Sequence, residues 1–285
     1  MMRFRWSLPL CVLSLAAFAC RRDATFTEPA PPLAAVHWVH AVPDTGEEDF
    51  RVVDLASNAG LYDANYRAAN MFYQGIEAGS RRIRIFNSSP DPAIAQQVLT
   101  ELTVPFTVDQ GYTLIHMGFA RAGQTPARTV RVVGDNAADP GPNNVGIRLI
   151  HAGAGMGNID VNLIRHRADT LTLPASPLIG NVAYESVGAY LAVPADVAAT
   201  ESLRVVVTVA GTTAPILANV ALPLGEAGDR SKNPIAGARV PGSVMTAVVV
   251  APSVAGSATN RARPPVNTTP SAVILVDRRP PDTVP

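Results

Sequence analysis

Short apolar runs, separated by Gly, Pro, Asn or Asp, recur along the chain from about residue 34 to residue 277. Many alternate apolar with polar positions, as in Ile83-Arg84-Ile85 and in TLIHMGF (residues 113–119). Alternation places successive side chains on opposite faces of an extended strand. Strands at this spacing, with turn residues between them and few strong helical segments, predict an all-β fold of sandwich type. The 25 prolines and 21 glycines fit many turns. Two stretches also permit a helix. Residues 61–73 have few breakers, and DPAIAQQVLTEL opens with Asp91-Pro92, a suitable cap and first helical residue. From Gln97 onward the strand reading is preferred, because its counterpart APILANVALPL (residues 214–224) alternates better.

That counterpart exists because the runs come in two sets. VHWVHAVPDTGEEDFRVVD, starting at Val36, superposes on IRLIHAGAGMGNIDVNLI after a shift of 111 residues. His40 then falls on His151, Ala41 on Ala152 and Asp49 on Asp160. The same shift lays FYQGI (72–76) on AYESV (183–187). With insertions, IRIF from Ile83 pairs with LRVV from Leu203, and LTVPF from Leu102 with VALPL from Val220. GYTLIHMGFA from Gly111 pairs with GSVMTAVVVA from Gly242, and VRVV from Val130 with VILV from Val273. A unit this long is not a solenoid repeat. The expectation is two tandem β-sandwich domains, residues 34–136 and 145–278, with a short tail at 279–285.

The glycines at 153, 155 and 157 follow an apolar strand, which raises the question of a phosphate cradle. A dinucleotide loop needs G-x-G-x-x-G between a strand and a helix. Here the last position is Asn158, and IDVNLI continues as a strand. The equivalent turn in the first copy, VPDTGEE, is acidic and would repel phosphate. Both are read as turns.

The pattern at His40–Asp49, an apolar strand, His-Ala, a Pro/Asp/Gly turn and then Asp-apolar-x-apolar, resembles the VHASPDAP…VDVYVDG repeats of domain-of-unknown-function family 4397. AYESVGAYLAVPAD (183–196) is similar to its AYG…YLTVPAG segment, and VRVVGDN and VILVDRR to its closing strand. The resemblance spans most of residues 34–277. The first copy departs by shortening the YLTVPAG region to IEAGS, and the second by losing Pro-Asp after His151. The resemblance implies immunoglobulin-like sandwiches, often tandem and often at the bacterial cell surface. It implies no activity and supplies no catalytic residue.

The N-terminus stands apart. Arg3 and Arg5 precede an uncharged apolar stretch at residues 8–18 that ends in Ala19-Cys20, the pattern of a secretory signal. The stretch is too short to span a membrane, which takes ~20 residues. A cysteine after AAFA resembles the bacterial lipobox, so Cys20 is a candidate lipidation site and first mature residue. Plain secretion with cleavage near Ala19 is the other reading. Residues 1–19 would be the signal peptide and 20–33 a polar, proline-containing tether. Cys11 and Cys20 are the chain's two cysteines, so the folded part carries no disulfide, cysteine-ligated zinc or cysteine nucleophile. Removing residues 1–19 leaves 21 basic and 23 acidic residues, a balance of −2. That offers no electrostatic footprint for nucleic acid. At 47% hydrophobic, the chain can bury a core.

Candidate chemistry is sparse. His40 with Asp49, and His151 with Asp160, each end one strand and open the next, so each pair could meet across its hairpin. Such a pair is either a charge-assisted bond that pins the turn or the start of a general base or metal site. Its presence in both copies favours the structural reading. His37 and His40 are three apart and face opposite ways on a strand. His116 reads as a satisfied core histidine, and His166, in RHR, as part of a solvated loop. No G-x-S-x-G, H-E-x-x-H, P-loop or EF-hand pattern occurs. The acidic run at 44–49 reads as a solvated turn, with calcium as the weaker alternative. Two long inserts in the second copy, 226–241 and 252–271, carry Arg230, Lys232, Arg239, Arg261 and Arg263. These would give a loop surface basic character suited to an acidic glycan or lipid headgroup; the plainer reading is connecting loops. No cofactor or metal is expected. The sequence thus predicts a membrane-anchored envelope protein that binds or builds, with a glycan or an envelope protein as possible partner. An envelope hydrolase or metal-dependent enzyme using a His–Asp pair is the alternative.

Overall fold

The computed structural model describes residues 30–55, 60–165, 172–254 and 267–284. The candidate signal, Cys20, His166, Arg261 and Arg263 lie outside the described residues. The first half runs β1 (Leu33–Ala41), β2 (Glu48–Val52), β3 (Gly60–Ala64), β4 (Gln74–Glu77), β5 (Gly79–Asn87), a single helical turn α1 (Pro92–Ala95), β6 (Val98–Phe106), β7 (Gly111–Met117) and β8 (Thr129–Asp135). The second runs β9 (Asn144–His151), β10 (Ile159–Ile164), β11 (Ile179–Val182), β12 (Leu191–Pro194), β13 (Arg204–Val209), β14 (Ile216–Ala221), β15 (Val244–Val250) and β16 (Ser271–Arg278). Asp91 caps α1 by accepting from the Ala93 N–H, with Pro92 at its start. The helical and strand readings of that segment therefore each hold over part of it. Residues 60–64 are strand, not helix.

The strands form four sheets, ordered β4-β1-β7-β8 and β3-β2-β5-β6 in the first half, β12-β9-β15-β16 and β11-β10-β13-β14 in the second. The fold is all-β with two sandwiches, and the two halves share one strand order. The pairing registers correct part of the sequence alignment. Val36 stands opposite Gln74 and Ile147 opposite Leu191, so Gln74 is equivalent to Leu191. Laying 72–76 on 183–187 was wrong. Similarly, His40 neighbours His116 and His151 neighbours Val249, which makes His116 equivalent to Val249 rather than Ala247.

Each half has its own core. Trp38, Phe50, Ile83, Ile85 and Leu114 anchor the first, and Ile147, Leu149, Val161, Val207 and Met245 the second. A third cluster joins them. It pairs Val39 with its repeat-mate Ile150, Ala41 with Ala152, Ile115 with Val248, Met117 with Val250, and Val133 with Leu275. These residues lie on the strands of the β4-β1-β7-β8 and β12-β9-β15-β16 sheets, on the faces turned away from each half's own core. Those two inner sheets are therefore covered on both sides. Their central strands run parallel, β1 beside β7 and β9 beside β15. Doubly covered parallel strands require apolar residues at both parities, and β15 is buried at every position. Each Val, Ile or Met so placed contributes ~1.5–3 kcal/mol. Pro32–Pro285 accordingly cohere as one compact unit.

Candidate functional site

The histidines that the repeat singled out do not contact their aspartates. Along β1, even-numbered side chains face the first core and odd-numbered ones the other half. Glu48, Phe50 and Val52 of β2 share the core face, so Asp49 points outward. His40 consequently lies 3.3 Å from Glu48 Oε2, and its Nε2 donates to the Gly46 carbonyl at 3.0 Å. His151 repeats this with the Gly157 carbonyl at 2.9 Å. In both copies Nδ1 accepts a backbone N–H two residues on, from Val42 at 3.4 Å and Gly153 at 3.2 Å. One imidazole thus staples each turn through both ring nitrogens. The turn after β9 is a plain turn, with Gly155 and Gly157 at φ +78 and +72.

Asp49 and Asp160 staple the outer sheets instead. Asp49 Oδ1 accepts the Asp63 N–H at 2.9 Å, and Asp160 Oδ1 the Asn181 N–H at 2.7 Å. Asp63 and Asn181 both hold positive φ, 48 and 53, a conformation that Asp and Asn tolerate better than most. Asp49 also takes Arg51 at 2.5 Å, and Asp160 the Gly211 N–H at 2.7 Å. All four residues are turn-pinning groups, each with a partner other than the one predicted.

Asp44, Glu48 and Asp49 of the acidic run 44–49 are buried, not solvated. Asp44 accepts the Ala120 and Arg121 N–H groups at 2.7 and 3.0 Å. Glu48 is fully buried. It receives His116 Nδ1 at 2.7 Å on Oε2 and the Thr45 hydroxyl at 2.9 Å on Oε1. His116 Nε2 meets Thr100 Oγ1 at 2.9 Å. All four ring nitrogens of His40 and His116 have protein partners, so the cluster closes on itself. Burial works against ionisation of Glu48, yet His116, His40 and Thr45 together draw its carboxyl below the ordinary 4.5. Burial also pushes His40 below 6.5, against the pull of Glu48 and the Gly46 carbonyl. His151 is lowered likewise, by burial against the Gly157 carbonyl. In the second half the positions of Glu48 and His116 are Ile159 and Val249, so this charge cluster belongs to the first half alone.

Two residues not foreseen from the sequence tie the halves together beside it. Tyr66 stands edge-on to His40 with centroids 5.8 Å apart, as Tyr184 does to His151 at 6.1 Å. Tyr66 donates to the Ala251 carbonyl at 2.6 Å; burial raises its hydroxyl to about 12. Arg67 binds the carbonyls of Ala251 and Thr269 at 2.6 and 2.5 Å and Asn267 Oδ1 at 3.3 Å. Both stems of the 252–271 insert are thus gripped from the opposite half. The recurrence of tyrosine in NYR and AYE was the available signal, hidden by the misplaced alignment. The basic insert residues differ in availability. Arg230 is exposed, Lys232 is neutralised by Glu226, and Arg239 Nε donates to the Gly225 carbonyl at 3.0 Å.

Comparison with known proteins agrees with the sequence resemblance over part of the chain. Residues 34–162 match the family model described as Domain of unknown function (DUF4397). The match runs from β1 through the first sandwich into β10, and so takes in both His-turn hairpins. No curated protein matches the chain.

Two outcomes follow from the buried groups. Folded His40 and His151 hold protons more weakly than free histidine, so their titration makes acid favour the unfolded chain. The stability these two histidines contribute should be complete above about pH 6.5 and be lost beneath it, with Glu48 extending the loss below about pH 4.5. Urea midpoints at pH 8, 6 and 5 check this, and a flat profile contradicts it. Separately, His116→Val alone strands the buried Glu48 carboxylate and should cost about 3–5 kcal/mol. Adding Glu48→Ile installs the second half's residues and should restore most of that in the same assay.

Proposed function

We propose that this chain is an extracytoplasmic module, held to a bacterial membrane by lipid at Cys20, that acts through binding or architecture rather than catalysis. The observation that carries the proposal is where its histidines sit. His37, His40, His116 and His151 are all fully buried, and each has a ring nitrogen engaged with a backbone or side-chain partner. A hydrolase or metal-dependent enzyme built on His40–Asp49 or His151–Asp160 needs imidazole and carboxylate together and within reach of substrate, whereas here each acid serves a different turn. Loops at the end of a rigid sandwich commonly carry recognition. The 252–271 insert, rooted on Tyr66 and Arg67, and Arg230 on the 226–241 insert are the recognition elements in this reading. Their basic side chains suit an acidic glycan or an acidic patch on another envelope protein. The arginine–backbone grip gives the insert a fixed base.

The test is retention on envelope material. A soluble chain of residues 23–285 is incubated with purified envelope fractions, and bound protein and released fragments are both measured. Saturable retention, weakened by Arg230→Glu and by loss of the Arg261 and Arg263 charges, is the expected result. Time-dependent release of fragments by native but not heat-denatured protein would make the chain an enzyme. In cells, Cys20→Ser should move the protein from the membrane to the soluble fraction; no change in fractionation would remove the lipid anchor from the proposal.

A further inference from the structure

Between the sandwiches lies a ring of eight side chains that the repeat arranges in two equivalent halves. His37 and Arg148 are repeat-mates, as are Tyr73 and Tyr190, Asp135 and Asp277, and Thr113 and Thr246. His37 stacks on Tyr73 at 3.9 Å between centroids, and the Arg148 guanidinium lies 4.5 Å over the Tyr190 ring. Tyr73 donates to Asp135 Oδ2 at 2.8 Å, and Tyr190 to Asp277 Oδ2 at 3.0 Å. Each of those oxygens also takes its own half's threonine, Thr113 at 2.8 Å and Thr246 at 2.5 Å. Both tyrosine hydroxyls are pushed up, by burial first and then by the aspartates, and so stay protonated as donors.

The remaining oxygen of each aspartate faces the opposite half. Asp135 Oδ1 receives Arg148 Nη2 at 2.6 Å, while Arg148 Nε donates to Thr246 at 2.9 Å. Among the described residues Asp277 Oδ1 has no hydrogen-bond donor, and it faces His37 Nε2 at 3.5 Å, which likewise has no hydrogen-bond partner among them. His37 Nδ1 is bound to the Asn70 carbonyl at 2.9 Å. A carbonyl only accepts, so Nδ1 carries the ring's first proton. A neutral ring would then turn its lone pair toward a carboxylate oxygen in a fully buried gap, leaving two polar atoms unsatisfied.

We propose that His37 is a buried imidazolium, the counterpart of Arg148, and that its second proton closes the ring by binding Asp277 across the sandwich interface. The junction then has one permanent cationic clasp, Arg148–Asp135, and one that opens when that proton leaves. The groups facing His37 are Asn70 and Tyr73 from the segment before β4, and Asp277 from β16. Arg148, Asp135 and Tyr190 are coupled to it through the ring. Because the proton is needed for closure, the clasp is strongest at lower pH and is lost as pH rises. It therefore opposes the acid sensitivity of His40 and His151.

The test is nitrogen NMR on the chain labelled at histidine, with His37 assigned by loss of its signals in His37→Gln. Two protonated ring nitrogens on His37 at pH 7 are expected. One protonated and one lone-pair nitrogen would overturn the proposal. Thermal unfolding of His37→Arg supplies the second reading. This variant carries a charge that does not leave, so its melting temperature should exceed that of the natural chain increasingly as pH rises from 7 to 9. Parallel profiles over that range would rule out the clasp.

Discussion

The structure depends on two sheets that are covered on both faces. In an ordinary two-layer sandwich each sheet buries one face and gives the other to solvent. Here β1, β7, β9 and β15 bury both, because the faces turned away from each half's own core meet each other. The five contact positions on one side are the repeat-mates of the five on the other, so one surface is matched to a related copy of itself. Such self-matching is the geometry of an isologous dimer interface, here within a single chain. Removing one half would expose a row of Val, Ile and Met side chains along the other.

That constraint explains where the polar chemistry has gone. A doubly covered strand leaves no solvated face for a polar side chain, so each one on it must find a partner inside. His40 and His151 point inward and staple turns. His116 pairs with Glu48 in the first core, while the second core fills the same positions with Ile159 and Val249. His37 and Arg148 point outward from their own cores and reach the other half's aspartates. The residues best suited to acid–base work are thus absorbed by the fold. In the proposed binding role recognition falls to loops, and the 252–271 insert is held at its base by Tyr66 and Arg67. This division of labour is what the proposed binding or architectural role draws on.

Much of this was legible in the sequence, and the failures have physical causes. Turn residues and period-two runs revealed an all-β fold, and the His-Ala turn revealed the duplication. Alternation also separated His37 from His40 correctly. Applied once more, it would have named Glu48 as the neighbour of His40, since Glu48 shares parity with Phe50 and Val52 whereas Asp49 does not. The alignment slipped in the inner strands for a deeper reason. A one-residue slip is normally betrayed because it turns apolar side chains to solvent. Val130–Val133 and Val273–Val276 lie in edge strands of the inner sheets and carry apolar residues at both parities, so the slip left no trace in pattern. Val132 is equivalent to Ile274, as their partners Leu114 and Ala247 show. The same both-parity character in TLIHMGF was the signal of a second buried face, and it resembles simple alternation closely enough to be taken for it. Tyr66 and Arg67 were hidden because the connection between β2 and β3, residues 53–59, is shorter than its counterpart between β10 and β11, residues 165–178, so the shift of 111 does not hold beyond it.

The central claim is that the two sandwiches share one core and open together. Native-state hydrogen exchange, resolved along the chain, tests it most directly. Amides of β1, β7, β9 and β15 should exchange last and at a common free energy, equal to that of global unfolding. If the central strands of one half exchanged through an opening that left those of the other protected, the halves would be independent domains in contact, and the shared core would not be what holds the molecule together.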